Sequence, residues 1–303
     1  MKQYIWTKPW SMIEGFVIGG GLIVVGLMLE LCIGPVIWDA FAWPMNCFVL
    51  TIFLLSICII FLFRKKVYIF EYLTTYKAAV PTLIYVVILT LIMGLTHQTV
   101  NGVWFNNMLS FWPFVLIYVL MSIILGIIIL KRLSLIRKRK RMRRDIPFLL
   151  NHLGLFIVLT TATLGNADIH RLKMVTTKGI PEWRALTPQQ DVIELPLAVE
   201  LKQFIMETYD DGTPRRFASD IQILTKSGKN IYTTVEVNKP IDIDGWNIYQ
   251  YGYDTTMGAK STMSILEFVR DPWKPVVYTG IFMMLIGAIC LFVFTPKRKE
   301  ENI

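Results

Sequence analysis

The sequence predicts a polytopic α-helical membrane protein with six transmembrane helices and an extracytoplasmic β-rich domain, sandwich- or barrel-like. Two observations lead to this fold class. When Gly is counted as apolar and Tyr is not, about 56% of the 303 residues are apolar, against about 45–50% in soluble domains. Mean hydropathy is +0.51, and the apolar residues are concentrated in long runs. An ordinary soluble enzyme is therefore excluded.

Six apolar segments have the length that a membrane span needs. The hydrocarbon core is about 30 Å thick, so a spanning helix takes about 20 residues at 1.5 Å each. Backbone groups find no water there, which favours helices over strands. The first segment is too long for a cleaved signal, and we expect it to remain as an anchor. The predicted spans are Met12–Leu31, Met45–Phe63, Val80–Thr96, Ser110–Leu130, Ile146–Gly165 and Pro275–Phe294.

Basic residues lie on alternate sides of these spans. Lys and Arg occur at residues 64–77, nine times between Lys131 and Arg144, and again at residues 297–299. The segments Cys32–Pro44 and His97–Leu109 contain none. Because positive loops stay in the cytoplasm, both termini are predicted to be cytoplasmic.

This topology divides the chain into five parts. Residues 1–130 form a four-helix membrane region, and 131–145 a basic cytoplasmic loop. Residues 146–165 are the fifth helix, 166–273 an outer domain, and 274–303 the sixth helix with a cytoplasmic tail. The outer domain carries 12 Lys or Arg and 15 Asp or Glu, a net charge of −3. The rest of the chain therefore carries a net charge of +12, and the two parts together give the overall net charge of +9.

The outer domain has the pattern of β-strands. Leu197, Val199 and Leu201 alternate with polar neighbours, and so does the segment Ile221–Ile223. The turn Ser227–Asn230 and the run Tyr232–Val237 then predict a hairpin, and Asp244-Gly245 predicts another turn. Six or seven short strands in about 100 residues are typical of a small sandwich or barrel.

The basic run from Lys131 to Arg144 allows two interpretations. Such a run is found in nucleic-acid and phosphoinositide sites. Between two spans, however, it is explained by contact with anionic lipid headgroups. We therefore predict anionic lipid as its partner and no nucleic acid.

His152 is the first candidate site residue. It lies just inside the membrane from the cytoplasmic side, in the first turns of the fifth span. An ionisable side chain at that depth is costly and usually faces a helix bundle, a cavity or a ligand. Neutral imidazole binds haem iron, and an apolar pocket suits the porphyrin faces. The alternative is a histidine at headgroup level, bonded to a neighbouring helix or to water.

The other two histidines are weaker candidates. His97 closes the third span at the outer interface, where it is either solvated or an outer haem ligand. His170 begins the outer domain, where a surface or packing role is expected. Aromatic residues crowd the same interface and form either an aromatic belt or a shelf for a flat macrocycle. They are Trp38, Phe41, Trp43, Trp104, Phe105, Phe111 and Trp112.

The sequence contains no motif for several other kinds of site. The four cysteines form no CxxC or CxxCH spacing, so no disulfide framework, zinc site or covalent haem attachment is expected. Neither a Walker loop nor GxSxG nor HExxH occurs. Glu30, the one acidic residue deep in a span, is expected to reach water.

Several segments of the second half resemble one family. Val237–Pro240 and Gly245–Gln250 are similar to the VNxP…GwxiYQ signature of the ResB (CcsB) family of cytochrome c biogenesis proteins. Ala218–Ile221, Asp271–Ile281 and Asn151–Gly154 also resemble that family. The likeness covers about residues 146–298.

The resemblance implies a role in haem handling. A ResB protein of System II works with a CcsA-type membrane partner to export haem and attach it to the CxxCH cysteines of apocytochrome c. It also implies a bacterial inner membrane location, and transient, non-covalent haem b with its iron on His152. The tryptophan-rich motif of the CcsA type is missing here, so this chain is expected to be at most a subunit of a haem-attachment complex. The alternative is a non-catalytic scaffold whose outer domain binds a secreted or membrane partner.

The predicted topology is tested by a reporter that is active only outside the cytoplasm, fused after Ile303. It is expected to be inactive, because the basic residues near the end of the chain hold the tail in the cytoplasm. Activity of this fusion would contradict the predicted topology.

Overall fold

A computed structural model describes residues 6–99, 102–137 and 142–294 of the chain. Among them are six helices long and apolar enough to cross a membrane, together with a separate antiparallel sheet. The predicted fold class is confirmed. The helices are α1 (Met12–Ile33), α2 (Met45–Phe63), the short α3 (Tyr68–Tyr72), α4 (Tyr76–Leu95), α5 (Trp112–Arg137), α6 (Met142–Gly165) and α7 (Lys274–Phe294).

The helices around the basic run extend beyond the predicted spans. α5 continues to Arg137, and α6 already begins at Met142. Much of the predicted loop 131–145 is therefore helical, since Lys and Arg are good helix formers. Residues 138–141 of the run lie outside the described residues, so the predicted lipid partner stays a prediction.

α6 is held closely against α7 by glycine. A Cβ atom built on Gly154 would lie 2.5 Å from the carbonyl oxygen of Gly280, and one on Gly280 would lie 2.8 Å from that of Gly154. Asn151 Nδ2 donates to the carbonyl oxygen of Met284 over 3.5 Å. Small residues let two backbones approach in this way within membranes. One face of α6 is thus fixed to α7.

A second face of α6 packs against α5. The Tyr118 hydroxyl donates to the carbonyl oxygen of Leu159 (3.0 Å), so a polar contact joins the two helices within the hydrocarbon. Phe156 is buried against Gly126, whose missing side chain leaves room for the ring. These contacts place α6 between α5 and α7.

Glu30 does not reach water as predicted from the sequence. It is 7% exposed, and its Oε2 accepts a hydrogen bond from the backbone N–H of Trp112 (3.2 Å). The Trp112 indole donates to the carbonyl oxygen of Gly34 (2.9 Å). The carboxylate thus takes up an N–H at the beginning of α5, where no intrahelical acceptor exists.

Residues Asp168–Pro272 form a compact unit of their own. Its eight strands are β1 (His170–Thr177), β2 (Pro181–Leu186), β3 (Val192–Thr208), β4 (Pro214–Thr225), β5 (Asn230–Glu236), β6 (Ile241–Ile243), β7 (Trp246–Tyr253) and β8 (Met263–Arg270). They make one antiparallel sheet in the order β5-β4-β3-β2-β1-β8-β7-β6. The predicted number of six or seven strands was therefore too low. β3 is 17 residues long and pairs with both neighbours along the chain.

The sequence patterns of the sheet are confirmed residue by residue. Val199, Leu201 and Ile223 are fully buried in its core. β5 pairs with β4 as the predicted hairpin partner. Asp244 and Gly245 have φ values of +50° and +81°, the two left-handed residues that a tight hairpin turn between β6 and β7 requires.

Gly154→Ala tests the contact of α6 with α7. The new methyl group would press on the Gly280 carbonyl, and overpacking of this kind costs about 1–3 kcal/mol. We expect a lower midpoint of thermal unfolding for the purified protein in detergent. Gly21→Ala is the matched control, because the described part of the chain leaves its Cβ position open to 4 Å. There the better helix former should leave the midpoint unchanged or raise it, and equal losses for both variants would contradict the prediction.

Candidate functional site

His152 lies ten residues after the beginning of α6 and is half-buried. Leu149, Leu153 and Leu155 of the same helix are partly buried and pack against the apolar core that α5 and α6 share. His152 thus belongs to a helix whose neighbouring leucines pack into an apolar core.

The hydrogen bond of His152 defines which ring nitrogen is available. Its Nδ1 lies 2.9 Å from the carbonyl oxygen of Phe148. Because a carbonyl only accepts, Nδ1 must carry the hydrogen in this contact. In neutral imidazole the lone pair is then on Nε2, for which no hydrogen bond is found within residues 6–99, 102–137 and 142–294. A backbone carbonyl on one ring nitrogen commonly orients the other toward a metal.

The imidazole also belongs to a stack that the sequence did not predict. The Phe148 ring lies against it with centroids 3.7 Å apart and planes at 23°. The Arg132 guanidinium carbon lies 4.6 Å from the same Phe148 centroid. Arg132 Nη1 donates to Asp145 Oδ1 over 3.1 Å, and Asp145 is only 3% exposed. α5 thereby contributes a cation to the surroundings of His152.

Sequence reasoning missed Arg132 because nine basic residues occur between Lys131 and Arg144. One signal was present. Asp145 follows that run as the single acid in the segment 131–145, so one of the bases had an acidic partner nearby. Which one could not be read from the sequence, because the choice depends on how α5 and α6 pack.

The other two histidines lie elsewhere. His97 is exposed after the end of α4, and His170 is exposed as the first residue of β1 in the separate sheet unit. Among the described residues no three His, Cys, Asp or Glu side chains form a cluster. The three histidines therefore do not form one site.

Several of the aromatic residues predicted at the interface contact other parts of the helical unit. Phe111 is 2% exposed, and Trp104 stacks on it with centroids 6.1 Å apart. The indole of Trp38 donates to the carbonyl oxygen of Leu109 (3.1 Å). Trp43 is 70% exposed. These contacts provide no separate support for a macrocycle shelf.

An apolar groove of about 430 Å³ lies between α2, α6 and α7. Leu54, Phe156 and Thr279 are among its lining residues, but His152 is not. The hydroxyls of Thr160 and Thr161 donate to carbonyls of their own helix. The groove therefore offers no free side-chain donor to a polar ligand.

The signature residues of the second half are structural. Ser219 Oγ donates to Gln250 Oε1 over 2.6 Å and lies 2.8 Å from Ser264 Oγ, while Gln250 Nε2 donates to the carbonyl oxygen of Gly252 over 2.8 Å. All three side chains are buried. This network folds β4 over β7 and β8. Trp246 is buried in the same core.

With these positions known, comparison with known proteins identifies the segment that contains them. Residues 138–267 match the model of the ResB-like family. The resemblance to ResB is thereby confirmed. The ResB-like segment contains α6 with His152 and most of the sheet, while α1–α5 and α7 lie outside it.

One curated relative and one solved structure add detail. The Cytochrome c biogenesis protein CcsB of Prochlorococcus marinus subsp. pastoris (strain CCMP1986 / NIES-2087 / MED4) is 28% identical over 149 residues. That match covers 49% of this chain and 34% of the relative, so the chain spans about a third of its length. Cytochrome c Heme Lyase CcmF is 12% identical, with a TM-score of 0.38 over 94% of this chain and 46% of that one. A likeness at this level carries no argument about function.

Gln250→Leu tests the structural role of the signature. Loss of the amide leaves two buried hydroxyls with one partner fewer, at a cost of about 1–3 kcal/mol. We expect faster amide hydrogen exchange across β4, β7 and β8 of the full chain in detergent. Gln222→Leu is the control, because its amide bonds Asn230 Oδ1 in an exposed contact. Equal exchange in the two variants would show that the network does not support the sheet.

Proposed function

We propose that this chain is a ResB-like membrane subunit of a System II cytochrome c biogenesis complex, in which it holds haem at His152. The available Nε2 of His152, within the ResB-like segment, carries the proposal. The relative's printed name, a cytochrome c biogenesis protein, supports the same role.

The residues around His152 suit haem as cargo. A neutral imidazole nitrogen is the usual proximal ligand of haem iron. The carbonyl of Phe148 holds the ring through Nδ1 and directs Nε2 away from the helix backbone. Partly buried leucines on the same helix suit an apolar porphyrin face. Haem iron needs only one or two protein ligands, so a cluster of several ligating side chains is not required.

The remaining ligand and the chemistry come from partners in this proposal. A histidine of a CcsA-type partner would take the second axial position, which protects the iron until export. Thioether formation joins the haem to reduced CxxCH cysteines of apocytochrome c, and this chain supplies neither those thiols nor a CxxCH sequence. His97 and His170 remain alternative ligands, both exposed.

The chain is a multi-pass membrane protein. We propose the bacterial inner membrane, cytoplasmic termini and an extracytoplasmic position for residues 166–273. The distribution of Lys and Arg supports this orientation. It places His152 near the cytoplasmic surface, where haem made inside the cell enters the membrane.

His152→Ala is the direct test. The complex is purified from cells that also express a CcsA-type partner, and the haem absorbance per protein is measured. We expect the loss of most co-purifying haem, because Ala offers no ligand to the iron. His97→Ala and His170→Ala are matched controls with exposed side chains, and both should keep their haem.

Folding is checked on the same samples by the thermal midpoint in detergent, which should be unchanged in all three variants. Unchanged haem absorbance in His152→Ala would overturn the assignment. If the unaltered complex carries no haem at all, the scaffold function, in which the outer domain binds a secreted or membrane partner, takes its place.

A further inference from the structure

We propose that Arg132 is an anion-binding residue of the His152 site and takes the carboxylate edge of haem. This inference rests on the proposed function and adds the orientation of the haem. It starts from the guanidinium itself, which has five N–H donors in a rigid plane. One of them donates to Asp145, and the side chain is 40% exposed. The other four donors have no hydrogen-bond partner among the residues that the structure describes.

The ion pair with Asp145 does not by itself account for Arg132. A guanidinium that serves only to clasp a carboxylate commonly does so with two parallel hydrogen bonds. Here a single Nη1 makes the contact, while the guanidinium carbon lies 4.6 Å from the centroid of the Phe148 ring. Asp145 is buried and Arg132 is not. Asp145 therefore holds Nη1, while part of the Arg132 side chain stays accessible.

Arg132 is close enough to act at the same ligand as His152. Both groups lie against the Phe148 ring, the guanidinium carbon 4.6 Å and the imidazole centroid 3.7 Å from its centroid. The distance between them is at most the sum of these two, 8.3 Å. A ligand on Nε2 that extends beyond its central atom can reach both.

The positions of the iron and the carboxylates in haem indicate which edge of the macrocycle would face Arg132. Its iron is central, and its two carboxylates are at one edge of the macrocycle. Burial of a carboxylate among leucines without a partner is costly in hydrocarbon. Arg forms strong, charge-assisted hydrogen bonds with carboxylates. With the iron on His152, the carboxylate edge therefore points to the end of α5 that carries Arg132.

This assignment gives the first helices a part in the site. Arg132 belongs to α5, outside the ResB-like segment 138–267. The ligand of the iron and the partner of the carboxylates thus come from different regions of the chain. Packing of α5 on α6 brings them together.

The test compares haemin with haemin dimethyl ester, in which both carboxylates are blocked. Dissociation constants are measured by absorbance titration of the purified full-length complex in neutral lipid nanodiscs. Arg132→Gln keeps one donor for Asp145 and removes the charge. We expect about tenfold weaker haemin binding, the size of one lost charge-assisted hydrogen bond, and unchanged binding of the ester.

Two further variants separate this role from a structural one. Lys131→Gln removes the same charge one residue away, where Nζ bonds the carbonyl of Thr74 (3.3 Å) at an exposed position. It should leave both constants unchanged. Arg132→Gln combined with Asp145→Asn removes any unpaired buried carboxylate and should reproduce the tenfold loss for haemin alone.

Equal weakening of haemin and its ester in Arg132→Gln would overturn the proposal, and so would unchanged haemin binding. Nanodiscs with anionic lipid test a phosphate as the true ligand, and an effect of Arg132→Gln on lipid binding with haemin unaffected would also overturn it. If the proposed function itself is wrong, haemin binding should survive His152→Ala. That outcome differs from the outcomes that overturn the role of Arg132.

Discussion

The close contact between α6 and α7 determines how α6 is rotated, and the site depends on that rotation. Gly154 and Gly280 let the two backbones meet, so no side chain separates them. With this face occupied, Phe148 and His152 come to the face where α5 packs. A helix free to turn about its axis would not keep the imidazole against Phe148 or within reach of Arg132.

Several buried polar groups are compensated in each unit, though by different means, whereas the buried Ser122 hydroxyl of α5 has no partner among the described residues. In the sheet, Ser219, Gln250 and Ser264 satisfy one another. Among the helices, Glu30 takes up the first N–H of α5. Such pairing matters because an unpaired buried group costs about 1–3 kcal/mol, whereas a net hydrogen bond contributes about 0.5–1.5 kcal/mol. His152 is only half-buried, and no hydrogen bond to its Nε2 is found within the described residues, so that atom is available to a ligand.

The ResB-like segment joins these two kinds of residues. Its signature positions around Gln250 and Trp246 are buried in the sheet, whereas the described contacts of His152 are its hydrogen bond to the Phe148 carbonyl and its stacking on the Phe148 ring. Similarity in the sheet therefore supports a shared fold. The proposed function rests on one side chain in α6 and on the residues around it.

The sequence by itself determined the spans, the hairpin of β4 with β5 and the turn at Asp244-Gly245. It also identified His152 as a candidate haem ligand. Each depends on local information: apolar run length, alternation, positive φ, or an ionisable group in an apolar helix. Only the tertiary structure decided that Arg132 reaches Phe148, that Glu30 bonds α5 and that the sheet has eight strands. These outcomes depend on contacts between residues distant in the chain, which a pattern of neighbours does not contain.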